Sequence, residues 1–65
     1  MNNDMDLRME FDIYVLRNRV KKFQVAQYLG ISEQAMYKNL KRLTPERLAE
    51  YMGVVDRIVA DRQKG

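Results

Sequence analysis

The sequence predicts an all-α fold, a compact bundle of four to five short helices forming one domain over 1–65. Three observations carry that expectation. Leu48, Tyr51, Met52, Val55, Ile58 and Val59 recur at spacings of three and four residues, which places side chains on one face of a helix. Gly30 closes one apolar run and Thr44-Pro45-Glu46 opens another, and both patterns punctuate helices. The chain has 65 residues and no Cys or His, so neither a disulfide nor the common zinc ligands can staple it. An economical helical core, or association with a second copy, remains.

The first segment reads two ways. Met5, Leu7, Met9, Phe11, Ile13 and Val15 alternate with Asp4, Asp6, Arg8, Glu10, Asp12 and Tyr14, which is the strand period. Yet Leu7, Phe11 and Tyr14 share one helical stripe, and Met9, Ile13, Leu16 and Val20 share another. Met, Leu, Arg and Glu favour helix. A helix over 6–19 is expected, with a strand-like arm over 5–11 as its rival. A lone strand would need a partner strand from a second subunit.

The second helix is expected over 21–29, with Val25, Ala26 and Leu29 on one face. Gly30 then supplies a left-handed stop. Ser32 stands at the N-cap of a third helix over 33–42, whose inward face is Ala35, Met36 and Leu40. Thr44 caps the fourth helix, Pro45 fills its first turn, and Glu46 complements its dipole. That helix is expected over 45–62, with a bend at Gly53, which weakens a helix by about 1 kcal/mol relative to Ala. The five methionines read as core filler.

Charge is unevenly placed. Residues 1–20 carry three basic and four acidic side chains, a balance of −1. Residues 21–42 carry Lys21, Lys22, Lys38, Lys41 and Arg42 against Glu33, a balance of +4. Residues 43–65 carry four of each, so the net +3 belongs to the central segment. A local cationic surface attracts polyanions through phosphate neutralisation and counterion release. A solvated basic face without a partner has the same composition.

The central segment also holds a recognisable geometry. A helix-turn-helix needs two helices crossing over a tight turn. Ala26 is small enough for close crossing, and Gly30 tolerates the positive φ of the turn. Leu29 and Ile31 plug the core around the turn, and Met36 points inward from the second helix. Glu33, Gln34, Tyr37, Lys38 and Lys41 leave the opposite face polar.

Ala26, Gly30, Ile31 and Met36 match the spacing of the phage repressor helix-turn-helix, and Leu29-Gly30-Ile31-Ser32 is a common form of its turn. On these residues the chain resembles the Cro repressors of lambdoid phages, particularly the all-helical ones, over roughly residues 11–52. Leu43-Thr44-Pro45-Glu46 is similar to the start of the helix that follows the motif there. The resemblance implies a homodimer that binds a palindromic double-stranded DNA operator and represses transcription in a phage or mobile-element switch. It implies residence in the bacterial cytoplasm or nucleoid. It makes Gln34, Tyr37 and Lys38, with Glu33 beside them, the base-reading set, and sets Lys22 against phosphate. Two positions depart from the family. Lys22 stands where Gln or Thr is frequent, and Asn39 stands where an apolar residue is usual.

The chemistry of these side chains supports the same roles. Gln34 can bond bidentately to adenine, and Lys38 can donate to guanine O6 or N7. Glu33 can accept from cytosine N4 or repel phosphate in wrong registers. Tyr37 can touch a thymine methyl or donate to phosphate, or simply cover apolar surface. Lys21, Lys22, Ser32, Lys41 and Arg42 form the phosphate set, which fixes orientation without reading sequence.

Val54, Val55, Ile58 and Val59 extend beyond what a short core covers, and they are the expected dimer interface. The alternative is that the N-terminal segment folds back over this stripe within one monomer. An enzyme is not expected, because the chain lacks His, Cys, a glycine-rich phosphate loop and any metal-ligand pattern. No cofactor, metal or small-molecule ligand is implied. No apolar stretch approaches the roughly 20 residues of a membrane span, and Asp4 and Asp6 precede any basic residue, unlike a signal peptide. Three rivals to a repressor stay open: a protein–protein adaptor built on the same helices, an architectural or excision-directing DNA-binding protein, and a plain helix corner.

Overall fold

The computed structural model describes residues 3–64, with side chains from 6 to 64. It contains four helices, α1 (Asn3–Arg17), α2 (Lys22–Leu29), α3 (Glu33–Lys41) and α4 (Pro45–Lys64), and no strand among the described residues. The alternating N-terminal segment is therefore helical from Asn3 onward, and a strand-like arm over 5–11 is excluded. Helical spacing wins over period-two spacing: Phe11 and Val15, one turn apart, both reach the core, while Ile13 between them, which a strand would place on the same face, is exposed.

The helix ends follow from local chemistry. α1 stops at Arg17 because Arg19 adopts the left-handed conformation at φ 55°. The Arg19 N–H donates to the Leu16 carbonyl at 3.1 Å and the Val20 N–H to the Val15 carbonyl at 2.9 Å. These are the two bonds of a Schellman close. Its usual hydrophobic contact is present, since Val15 and Val20 are both buried. Arg62 near the end of α4 clamps this turn, donating to the Asn18 carbonyl at 3.2 Å and the Arg19 carbonyl at 2.7 Å.

α2 begins where the Lys21 N–H donates to the Gln24 side-chain oxygen at 2.8 Å. It ends at Gly30, φ 74°, with Gly30 N–H donating to Gln27 and Ile31 N–H to Ala26. Ser32 Oγ accepts the Ala35 N–H at 3.1 Å to start α3, and Thr44 Oγ1 accepts the Arg47 N–H at 3.2 Å to start α4. Each cap satisfies a backbone group that a helix terminus leaves unpaired. α4 runs through Gly53 as one helix.

The core joins all four helices. It is built from Phe11 and Val15 of α1, Val25 and Ala26 of α2, Met36 and Leu40 of α3, and Leu48, Tyr51, Val54 and Val55 of α4, with Val20 and Leu43 from the turns. α1 lies along α4 and also touches α3, while α2 packs on α3 and α4. Phe11 and Tyr51 meet at 5.8 Å between ring centres, tilted by 59°, a favourable aromatic arrangement. Across the same seam the Tyr14 hydroxyl donates to the Asp56 carboxylate.

Packing within one chain corrects the expected dimer interface at Val54 and Val55. Val54 and Val55 are 7% and 0% exposed within a single chain, and Ile58 and Val59 are half-buried against the same core. α1, the segment of the alternative raised by the sequence, packs along α4, and so does α2. Two further expectations are adjusted. Met36 fills the core and Met52 packs against it, but Met9 is exposed on α1, and Met1 and Met5 lie outside the described side chains. Asn39, the polar departure, points to solvent, and Leu40 takes the packing in its place.

Candidate nucleic-acid interface

The two sides of α3 differ completely. Met36 and Leu40 are 0% exposed and anchor the helix against the core. Glu33, Gln34, Tyr37, Lys38 and Lys41 are all exposed. At about 100° per residue they fall within an arc of roughly 140°, so they form one continuous polar ridge. Ala26, 2% exposed, lets α2 approach α3 closely. Gly30 and the Ser32 cap fix the connection between the two helices.

The ridge is acidic at its start and basic at its end. Glu33 lies in the first turn of α3, where the helix dipole favours a carboxylate. Lys38 and Lys41 lie in the last turn, and Arg42 follows. Lys38, Asn39, Lys41 and Arg42 together line a shallow depression of about 440 Å³. Three cations around one hollow suit a phosphate oxygen, and the exposed C-terminal end of α3 supplies no competing anion of full charge.

The expected phosphate set is only partly free. Lys21 is exposed beside the start of α2. Ser32 spends one lone pair on the Ala35 N–H, which leaves its hydroxyl proton available to an acceptor. Lys22 is engaged. Its Nζ lies 2.8 Å from Asp12 Oδ1 of α1, with the two side chains 24% and 42% exposed. That oxygen is buried and has no well-directed hydrogen bond, so the contact is an ion pair at short range. The same ammonium stands 5.8 Å from the centre of the Tyr37 ring, within cation–π range. Lys22, expected against phosphate, thus bridges α1, α2 and α3 instead of standing free.

Sequence reasoning missed Asp12, because its partner lies on another helix and no spacing rule links the two. It also missed an open, largely apolar hollow of about 420 Å³ next to the ridge, where Leu16, Val20, Phe23 and Tyr37 meet the charged Asp12, Lys21, Lys22 and Glu33. The exposed Phe23 is its clearest sign. Among the described residues there is no cluster of His, Cys, Asp or Glu able to hold a metal ion, and no helix long and apolar enough to cross a membrane. Compared with known proteins, the chain matches no family model, no curated protein and no solved structure.

Proposed function

We propose that this protein is a sequence-specific double-stranded DNA-binding repressor that lays α3 in the major groove and acts as a homodimer. One observation carries this reading. The solvent-exposed side of α3 is a continuous ridge of Glu33, Gln34, Tyr37 and Lys38 that ends on the cations Lys41 and Arg42. A major groove admits one helix, and the residues near the N-terminus of that helix face base edges.

Gln34 and Lys38 are assigned to base edges, with Glu33 limiting the registers that are tolerated. Lys41, Arg42 and Lys21 are assigned to the phosphate backbone, with Ser32 donating its hydroxyl proton. Repression follows from occupancy: a protein seated on a promoter excludes polymerase without any catalysis of its own.

The test is a fluorescence-anisotropy titration of single variants on a selected duplex. Lys38→Ala should cost about 1–3 kcal/mol on that duplex and relax preference at one base pair. Lys41→Ala should weaken binding to all duplexes alike and reduce the salt slope by about one. Both variants keep the exposed side of α3 out of the core, so folding is preserved. Unchanged affinity in both would defeat the reading.

A further inference from the structure

We infer that the outward face of α1 docks a second copy of this chain, the two α1 helices running antiparallel about a two-fold axis beside Ile13. The inference supplies the two-fold that a homodimeric repressor needs, and it rests on features of α1 alone.

α1 is apolar on two opposite faces. Phe11 and Val15 face the core, while Met9, Ile13 and Leu16 are 57%, 48% and 78% exposed. The period-two alternation of the sequence has this consequence once the segment becomes a helix. A helix on the surface of a globule ordinarily shows one apolar stripe. Two stripes call for two partners, and α4 is only one of them.

Charge identifies the second partner. Glu10 and Arg17 are exposed on the same outward face. Measured around the helix from Ile13, Glu10 and Arg17 lie about 60° and 40° to one side, and Met9 and Leu16 about 40° and 60° to the other. A two-fold axis across the helix reverses chain direction but keeps each side on its own side. Glu10 then meets the partner's Arg17, Met9 meets the partner's Leu16, and Ile13 meets the partner's Ile13. Both unlike pairs are centred within about half a residue of position 13, so a single register satisfies all three contacts. A parallel two-fold would carry each side across to the other, setting Glu10 against the partner's Met9 and Arg17 against the partner's Leu16 and leaving both charges unpaired. The face is therefore complementary to itself, in one orientation.

The neighbouring surface fits the same pairing. At Leu16 this side of α1 borders the hollow of about 420 Å³, whose apolar walls Leu16, Val20 and Phe23 are rimmed by the charged Asp12, Lys22 and Glu33. The partner's Met9 would arrive at that edge, and a flexible thioether adapts to an irregular hollow. One helix face is smaller than the roughly 800 Å² per partner of a standard interface, so the dimer is expected to dissociate at concentrations on the order of micromolar.

The experiment is sedimentation equilibrium of the full chain across the micromolar range without nucleic acid. The mass should climb from 7.8 kDa toward twice that value. Ile13→Glu should remain monomeric while keeping the helical circular dichroism and melting temperature of the parent. Glu10→Arg and Arg17→Glu should each weaken the dimer about tenfold, since the two-fold doubles each contact. The combined variant should restore it to within a few-fold. A parent chain that stays monomeric overturns the inference. So does a dimer that none of these variants moves, or single losses that the combined variant does not repair. Failure to bind DNA leaves each of these outcomes untouched.

Discussion

Lys22 and Asp12 meet at 2.8 Å across the α1–α2 junction, and the ammonium group also stands over Tyr37 of α3. The candidate recognition helix is thus tied to α1 by a charge that a phosphate would otherwise attract. Asp12→Asn removes the carboxylate and frees the cation. Non-specific DNA affinity should rise several-fold, and the slope of log K against log salt should steepen by about 0.9. Anisotropy titrations at several salt concentrations check this. An unchanged slope would mean that Lys22 stays away from phosphate.

The two glycines of the helical region predict opposite signs. Gly30 sits at φ +74°, so Gly30→Ala is strained although a Cβ there meets nothing within 4 Å. A loss of about 1–2 kcal/mol is expected. Gly53 lies inside α4 with ordinary helical φ and equally open space. Gly53→Ala should add about 0.5–1 kcal/mol. Urea melts of both variants measure the pair, and equal signs would contradict the backbone account.

Tyr51 is 1% exposed and its hydroxyl has no hydrogen-bond partner. The ring stabilises the core through Phe11, whereas the hydroxyl is only desolvated. Tyr51→Phe should therefore leave stability unchanged or raise it by about 1 kcal/mol. Tyr51→Ala should cost about 3–5 kcal/mol. A clear loss on Tyr51→Phe would reveal a partner for the hydroxyl.

Tyr14 gives a pH signature. Its hydrogen bond to Asp56, then burial, then the Asp56 charge hold its pKa above the ordinary 10.0. Because the folded value is the higher one, the contribution is fully present below pH 10.0 and fades as pH rises through the raised pKa. Thermal melts through the alkaline range should show the parent losing more stability than Tyr14→Phe. Parallel curves would break the assignment.

Much of the fold was legible because its punctuation is local. Gly30, Ser32 and Thr44-Pro45 each act within a few residues of themselves, and the end of α2 and the starts of α3 and α4 follow from them. The end of α1 was not legible, because an arginine at φ 55° takes a place usually given to glycine. Nor was the covering of Val54 and Val55. Two apolar stripes on α1 were visible in the sequence, but periodicity alone does not say which one turns inward. The exposed side of α3 was legible from the spacing of Met36 and Leu40. The capture of Lys22 by Asp12 was not, since a tertiary ion pair leaves no mark on spacing.

The central claim is that the polar ridge of α3 reads base sequence. The most direct measurement is selection of bound duplexes from a random double-stranded pool, followed by sequencing. An enriched inverted repeat is predicted, with preferences that shift at one position in each half when Lys38 is replaced by Ala. Recovered duplexes with the same base frequencies as the starting pool would contradict it.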